Sequence, residues 1–369
     1  HVSYPSGCFT NNEGTDYVGT AYTFKALGYD RQLWLWGTNT DGQLGQNNRT
    51  SHSSPVQVPG SNWSKFSNGA GASAMASIKT DGTLWAWGSN TYGQLGQNNA
   101  VRYSSPVQIG SETTWSEFSF SYGMFLATKT DGTLWAWGAN QQGKLGVNRT
   151  HGSSASSPIQ IPGTDWSTAA RAIRAGEQAS YAVKTDGTMY VWGSNDHGRL
   201  GLNQSTPTKI SSPVQLPGTT WSIVGGNGSN AMGAIKTDGT LWMWGRNEYG
   251  DGANNQRDAR SSPVQVPGST WSMVATASNT MSGALKTDGT LWMWGKGHNG
   301  QLGHNQSGNP GPSGVNRSSP TQIPGTTWND LIVGNGGIAT KTDGTLWGWG
   351  RNQTGSLGQN EQSTEYSSP

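Results

Sequence analysis

The chain has 369 residues and a formal net charge of only +2, from 23 Lys plus Arg against 21 Asp plus Glu. Charged residues make up 12% of it, about half the usual share, while 55 Gly and 19 Trp stand beside a single Cys. A near-neutral chain without a basic block is poorly suited to nucleic acid or anionic membranes. One cysteine excludes an internal disulfide framework or a Cys-rich zinc site, and no apolar run reaches the length of a membrane span.

In chain order, a divergent segment, His1–Ala21, precedes a series of repeats. The string Trp-x-Trp-Gly occurs at 34–37, 85–88, 135–138, 242–245, 292–295 and 347–350, with Tyr190-Val-Trp-Gly193 as a seventh copy. The second tryptophans, Trp36, Trp87, Trp137, Trp192, Trp244, Trp294 and Trp349, are spaced by 51, 50, 55, 52, 50 and 55 residues. Six copies follow Lys-Thr-Asp-Gly-Thr, and the first follows a variant lead-in.

Each unit reads the same way. An apolar stretch enters Lys-Thr, and Asp-Gly reverses the chain because Gly accepts positive φ and Asp tolerates it. Thr-Leu-Trp-x-Trp returns as an aromatic, β-branched strand. A Gly/Asn-rich loop follows, usually ending Gly-x-Leu-Gly. Ser-Ser-Pro-Val-Gln-x-Pro-Gly then suits an edge strand, where a missing N–H is harmless. Pro-Gly turns the chain to a further Trp: Trp63, Trp115, Trp166, Trp221, Trp271 or Trp328. No stretch carries a convincing helix. Three to four short strands per unit of about 50 residues match a propeller blade, so the expected fold is an all-β, seven-bladed β-propeller over residues 22–369. His1–Ala21 is expected to be a closing strand for the last repeat or a linker to missing upstream sequence. Every Trp holds a repeat position, and each buried indole contributes roughly 4–6 kcal/mol as an upper estimate.

The motif Gly-x-x-x-x-x-Ala-x-Lys-Thr-Asp-Gly-Thr-Leu-Trp-x-Trp-Gly, followed by Asn-x-x-Gly-x-Leu-Gly, resembles the regulator-of-chromosome-condensation repeat. The resemblance covers about residues 22–369 and implies a seven-bladed propeller. The variant Ser-Ser-Pro-Val-Gln-Ile/Val-Pro-Gly-Thr-Thr-Trp is similar to repeats of bacterial secreted proteins and of virion proteins of marine bacteriophages. Most copies lack the histidine that is common before the apolar strand in that family, and the fifth loop, Tyr249-Gly-Asp-Gly252, lacks Leu-Gly.

Candidate chemistry is sparse. His298 and His304 flank a loop at a spacing that matches no common zinc motif. Cys8 has no evident His partner, and the recurring Asp of Asp-Gly is turn chemistry repeated six times. No catalytic, cofactor-binding or metal-ligating residue is assigned, and the chain is expected not to be an enzyme. The variable segments lie between Gly-x-Leu-Gly and Ser-Pro, at 46–53, 97–104, 147–156, 202–211, 253–261, 304–318 and 359–367, and should emerge on one side of the ring. They supply a candidate binding rim of Arg49, His52, Arg102, Tyr103, Arg149, His151, Lys209, Arg257, Arg260, Arg317 and Tyr366, since Arg and Tyr are favoured at interfaces. The competing reading of these loops is a solubilising surface.

The first function expected is a non-enzymatic structural or adhesive module of an extracellular or virion assembly. Its partner would be a protein or glycan, including other subunits, with no nucleic acid and no membrane insertion. A soluble protein-binding or inhibitor propeller ranks second. A guanine-nucleotide exchange factor for a small GTPase ranks third.

Overall fold

The Lys-Thr-Asp-Gly-Thr string builds the hairpins that define the architecture. Asp81 Oδ1 accepts the Thr83 backbone N–H at 3.0 Å and the Thr83 hydroxyl at 2.7 Å, closing a tight Asx-type turn. Gly82 sits at φ +78, and a Cβ there would lie 2.0 Å from Thr113 O. Only glycine fits so close an approach. The same turn recurs at Asp131, Asp186, Asp238, Asp288 and Asp343.

The computed structural model describes residues 31–67, 73–149, 152–204, 206–226, 231–277, 281–306, 316–334, 336–352, 357 and 365–369. Strand β1 (Trp34–Gly37) pairs with β2 (His52–Gln57) as a two-stranded ribbon. The first blade is β3 (Trp63–Ser67), β4 (Ala74–Lys79), β5 (Leu84–Gly88) and β6 (Tyr103–Gln108). The second is β7 (Trp115–Ser121), β8 (Met124–Lys129), β9 (Leu134–Gly138) and β10 (Ala155–Ile161). The third comprises β11 (Ile173–Ala175), β12 (Ala179–Val183), β13 (Met189–Ser194) and β14 (Lys209–Gln215). The fourth comprises β15 (Trp221–Gly226), β16 (Ala231–Lys236), β17 (Leu241–Gly245) and β18 (Arg260–Gln265). The fifth comprises β19 (Trp271–Thr276), β20 (Met281–Lys286), β21 (Leu291–Gly295) and β22 (Arg317–Ile323). The sixth has, among the described residues, three strands, β23 (Trp328–Val333), β24 (Gly336–Lys341) and β25 (Leu346–Gly350).

The fold is therefore, among the described residues, an all-β propeller of six blades, which corrects the seven expected from the repeat count. Among the described residues, the register around Trp36 gives only the β1–β2 ribbon. Its sequence lacks the Lys-Thr-Asp-Gly-Thr hairpin that supplies the inner strands elsewhere. The expected closing role of His1–Ala21 lies outside the described residues.

Every pairing is antiparallel, and the Ser-Ser-Pro strands lie at sheet edges, as their prolines require. Alternation of direction places the Asp-Gly and Pro-Gly turns on one face of the propeller. Where these segments are described, the tips between first and second strands and the loops after Trp-x-Trp-Gly lie on the other.

Neighbouring units are joined by a bond that repeats. The buried second Trp of each blade donates its indole N–H to a carbonyl in the preceding unit's Gly-x-Leu-Gly: Trp87 to Gln43, Trp137 to Gln94, Trp192 to Lys144, Trp244 to Arg199, Trp349 to Gln301, all within 3.0 Å. Trp294 makes the same bond to Asp251 in the variant fifth loop. The first Trp of the motif is less buried. With the post-turn Trp it brackets a lysine, as Lys129 lies 5.0 Å from the Trp115 centroid and 4.0 Å from that of Trp135. Charged pairs join inner strands: Lys65 meets Glu117 at 3.1 Å, and Arg171 beside the third blade reaches Asp330 of the sixth at 2.7 Å.

Candidate functional site

The rim loops are held from inside by a buried asparagine two residues after Trp-Gly. Asn90 Oδ1 accepts the Leu95 N–H at 2.9 Å, while its Nδ2 donates to Asn99 O at 3.0 Å and Val101 O at 2.8 Å. Asn39 and Asn247 act the same way on their own loops. A buried amide has four hydrogen-bonding sites to satisfy, and a curled loop satisfies them. The fifth blade has Gly297 at this position, and its N–H donates instead to Asn316 Oδ1 at 3.2 Å.

A second contact docks each loop on the next unit. Asn47 donates its backbone N–H to Ser104 O, Asn98 to Ser156 O, Asn148 to Ser211 O, Asn203 to Ser261 O, Asn255 to Ser318 O and Asn305 to Ser367 O, at 2.6–2.9 Å. All six asparagines have φ of 51–58, the left-handed region that Asn tolerates better than most residues. The described parts of the variable loops thus stand on one face.

The structure places the rim residues individually around this face. Arg49, Arg149 and Lys209 are exposed. Arg102 pairs with Asp41 of the preceding unit at 3.1 Å. Arg260 donates to Gln256, and Arg317 to Gln306 at 2.7 Å. His52 begins β2 opposite Gly37, and Arg257 is exposed in the fifth rim loop. Tyr103 is half-buried against the first blades, and Tyr366 packs on the sixth blade while bridging Gly350. His151 lies outside the described residues.

One set of residues on this face was not anticipated from the sequence. The x of Gly-x-Leu-Gly is buried in every described copy: Gln43, Gln94, Lys144, Arg199, Asp251 and Gln301. The Lys144 ammonium donates to Tyr122 O at 3.2 Å and Glu177 O at 3.0 Å. Burial pushes its pKa down to about 8, with Glu177 opposing. Arg199 donates to the Gln178 side chain at 2.6 Å. Asp251 is only 1% exposed, and neither carboxylate oxygen makes a hydrogen bond of acceptable geometry among the described residues. Burial pushes the Asp251 carboxyl up to about 6, and its own and the Tyr249 backbone amides offset only part of that. The available signal was the change of charge at one repeat position, from Gln to Lys, Arg and Asp. Among the described residues no group of three or more His, Cys, Asp or Glu is arranged to hold a metal ion.

The RCC1-like domain family matches residues 11–329. The chain is 27% identical over 238 residues to the E3 ubiquitin-protein ligase HERC2 of Mus musculus and of Homo sapiens, which covers 62% of this chain and 5% of those proteins. It is 25% identical over 228 residues to the mitochondrial RCC1 domain-containing protein RUG3 of Arabidopsis thaliana, covering 60% of this chain and 51% of that one. The chain thus spans about half, or far less, of the length of these relatives. Among solved structures, Prp20p of Saccharomyces cerevisiae superposes with a TM-score of 0.78 at 18% identity, over 93% of this chain and 86% of that one. Human WBSCR16 gives 0.75 at 20% identity, over 92% of each chain. Yeast RCC1 (Prp20) in its complex with Kap60 gives 0.75 at 17%, over 96% and 88%. At these identities the likeness is one of fold.

Proposed function

This chain belongs to the RCC1-like domain family, and on that premise we propose that it is a protein-binding propeller with no catalytic activity of its own. One observation carries the reading. Repeated asparagine clamps and backbone docking bonds fix loops of different length and sequence on one face, with Arg49, Arg149 and Lys209 exposed on them. Rigid loops lose little entropy on binding, and a ring of them meets one large partner at several points. The relative Prp20p has a described binding to Gsp1p and histones, and yeast RCC1 is seen bound to Kap60, which supports a protein as the partner class.

In its finer form the proposal is a structural or adhesive module displayed outside a cell or on a virion, working as one subunit among others. The low charge and near-identical repeats support that form, and so does the likeness of the Ser-Ser-Pro variant to secreted and virion repeats. The test is replacement of Arg49, Arg102, Arg149, Lys209, Arg260 and Arg317 by Ala together, with folding followed by Trp fluorescence. Attachment to the native assembly should be lost, and crosslinks mapped by mass spectrometry should fall on the rim loops. Unchanged attachment overturns the rim. Accelerated nucleotide release from a small GTPase would favour the exchange-factor reading instead.

A further inference from the structure

The same face carries a cleft of about 270 Å³ that the repeat pattern does not account for. It is built from loops after β5 and β9 and from the β7–β8 and β11–β12 tips, so it spans three consecutive blades. None of the rim residues lines it.

Its aromatic residues differ in kind from the tryptophans. All 19 Trp hold repeat positions, whereas Tyr92 and Tyr122 stand where most other copies have something else. The Tyr92 ring is 39% exposed and lies against the second blade at Gly123, where a Cβ would come within 2.9 Å of Tyr92 Cδ2. Its hydroxyl accepts the Gln141 side-chain amide at 3.2 Å. Tyr122 and Gln142 adopt φ of +42 and +94, a conformation that side-chain-bearing residues adopt only when the surroundings compel it.

The polar groups are mostly amides, and several are already oriented. Gln94 Oε1 accepts the Tyr92 backbone N–H at 2.8 Å, and Gln178 Oε1 accepts from Arg199. Each bond leaves the amide's own N–H groups to turn toward the cleft. Gln142 lines the cleft, and its Oε1 is buried and makes no hydrogen bond among the described residues, so a turn of the amide into the cleft would gain it a partner from a bound donor. The nearby Lys144 is 1% exposed and does not line the cleft, and its ammonium donates to two backbone carbonyls. Among the described residues, Glu177 is the only acidic one in the lining.

This chemistry selects against most ligands. An anion would face Glu177 and, among the described residues, no cation in the lining. A purely apolar group would leave Gln142 Oε1 unpaired. A ring that presents C–H groups to tyrosine and hydroxyls to carboxamides satisfies both demands. The volume is just below the roughly 300–1,000 Å³ of ordinary small-molecule sites, which suits one unit of a larger chain. We infer that the cleft lined by Tyr92, Tyr122, Gln94, Gln142 and Gln178 binds a single neutral sugar residue of a glycan. This site shares no residue with the rim, so either reading can fail without the other.

The experiment screens the full chain on a printed glycan array and then titrates the best neutral hit by calorimetry, with glucuronic acid and glucose 6-phosphate as charged probes. A neutral glycan should bind. Tyr92→Ala and Gln142→Ala should each weaken it at least about tenfold, and Thr219→Ala in an opposite-face turn should leave it unchanged. Thermal midpoints check folding. If Gln142→Ala does not fold, Gln141→Ala at the exposed edge takes its place and should also weaken binding. Absence of any neutral hit overturns the inference, as does a preference for the charged probes, wild-type affinity in the Tyr92 variant, or displacement of bound glycan by peptides but not by free sugar.

Discussion

In the second blade every residue of β8 is buried, and Phe125 stacks on Trp137 at 4.9 Å with the rings 8° from parallel. In the sixth blade the third strand is open at its start: Leu346 is 55% exposed and Trp347 36%, where Leu134 of the second blade is fully buried. The two blades share the same turn and the same Trp-x-Trp-Gly strand. Their difference lies in what covers that strand. β9 is paired by β10, with Gln160 opposite Trp135 and Ile161 opposite Leu134. β25 meets, beyond β24, only the single bridge from Gly350 to Tyr366 among the described residues. The repeat therefore specifies strands and turns, while burial comes from the neighbouring strand and blade. This is the nearest-neighbour energetics expected of repetitive folds.

The sharpest way to break this comparison is to remove one indole from each blade. Trp135→Ala, at the same motif position as Trp347, deletes a half-buried ring that packs on the second blade's core and is covered by Gln160 of β10, and it should cost about 2–4 kcal/mol. Trp347→Ala removes a partly exposed ring and should cost under about 1 kcal/mol. Urea unfolding followed by circular dichroism gives both. Equal costs would mean that neighbour coverage is not what distinguishes the blades.

The next effect concerns the buried x positions, where Gln301 is neutral and Asp251 is acidic. The Asp251 carboxyl has a pKa raised to about 6, with Arg246 lowering it and Glu248 raising it as lesser influences. A raised native pKa means that the folded state favours the protonated form. Its stabilisation is full below the ordinary Asp value of about 4 and is lost as pH rises through 6. Asp251→Asn should therefore raise stability at pH 8 by on the order of 2–3 kcal/mol and change it little at pH 4. Thermal melts at the two pH values check this, and an equal gain at both would place the effect elsewhere.

A smaller difference is expected at the lysine cages. Lys129 sits between two indoles and also meets Glu112 at 2.8 Å, with its side chain 9% exposed. Lys341 lies 4.0 Å from the more exposed Trp347. Replacement by Met should cost roughly 1–2 kcal/mol at Lys129 and about 0.5–1 kcal/mol at Lys341. Denaturant midpoints compare the two, and the reverse order would exclude desolvation as the cause.

Much of this was legible in the sequence. The Asp-Gly turns, the aromatic third strands and the edge position of Ser-Ser-Pro follow from local chemistry, and all are found. The blade count did not follow, because Trp34–Gly37 carries the strand motif without the preceding hairpin. Periodicity of one motif counts strands rather than whole blades. Bonds such as that from Trp87 to Gln43 span 44 positions and have no local signature. The cleft escaped for a related reason: Tyr92, Tyr122 and Gln142 come from two blades and different loops, and only folding brings them together. Their visible mark was only that Tyr92 and Tyr122 are aromatic at positions the repeat leaves free.

The smallest effect tests what the blades share. Hydrogen bonds from the Thr hydroxyl and backbone hold the carboxyls of Asp81, Asp131, Asp186, Asp238, Asp288 and Asp343 below their ordinary range. A lowered native pKa has the opposite sign to that of Asp251. The stabilisation is present above about pH 4 and fades as pH falls through the native values, because the unfolded chain then binds more protons. These carboxylates face solvent, so each contributes little and salt screens it further. All six shifts nonetheless act in one direction, and the loss of stability on acidification should be steeper for the sum than for any one turn. Replacing Asp by Asn keeps an oxygen acceptor for the Thr donors but removes the titration. Thermal midpoints measured from pH 6 down to pH 2 in variants with one, two and three such replacements should show the acid slope falling in proportion to their number. The slope should fall as much for Asp343 in the open sixth blade as for Asp131 in the covered second, since the turn is local and needs no neighbour. A slope that depends on which blade is altered would show that even the turn takes its energetics from its surroundings.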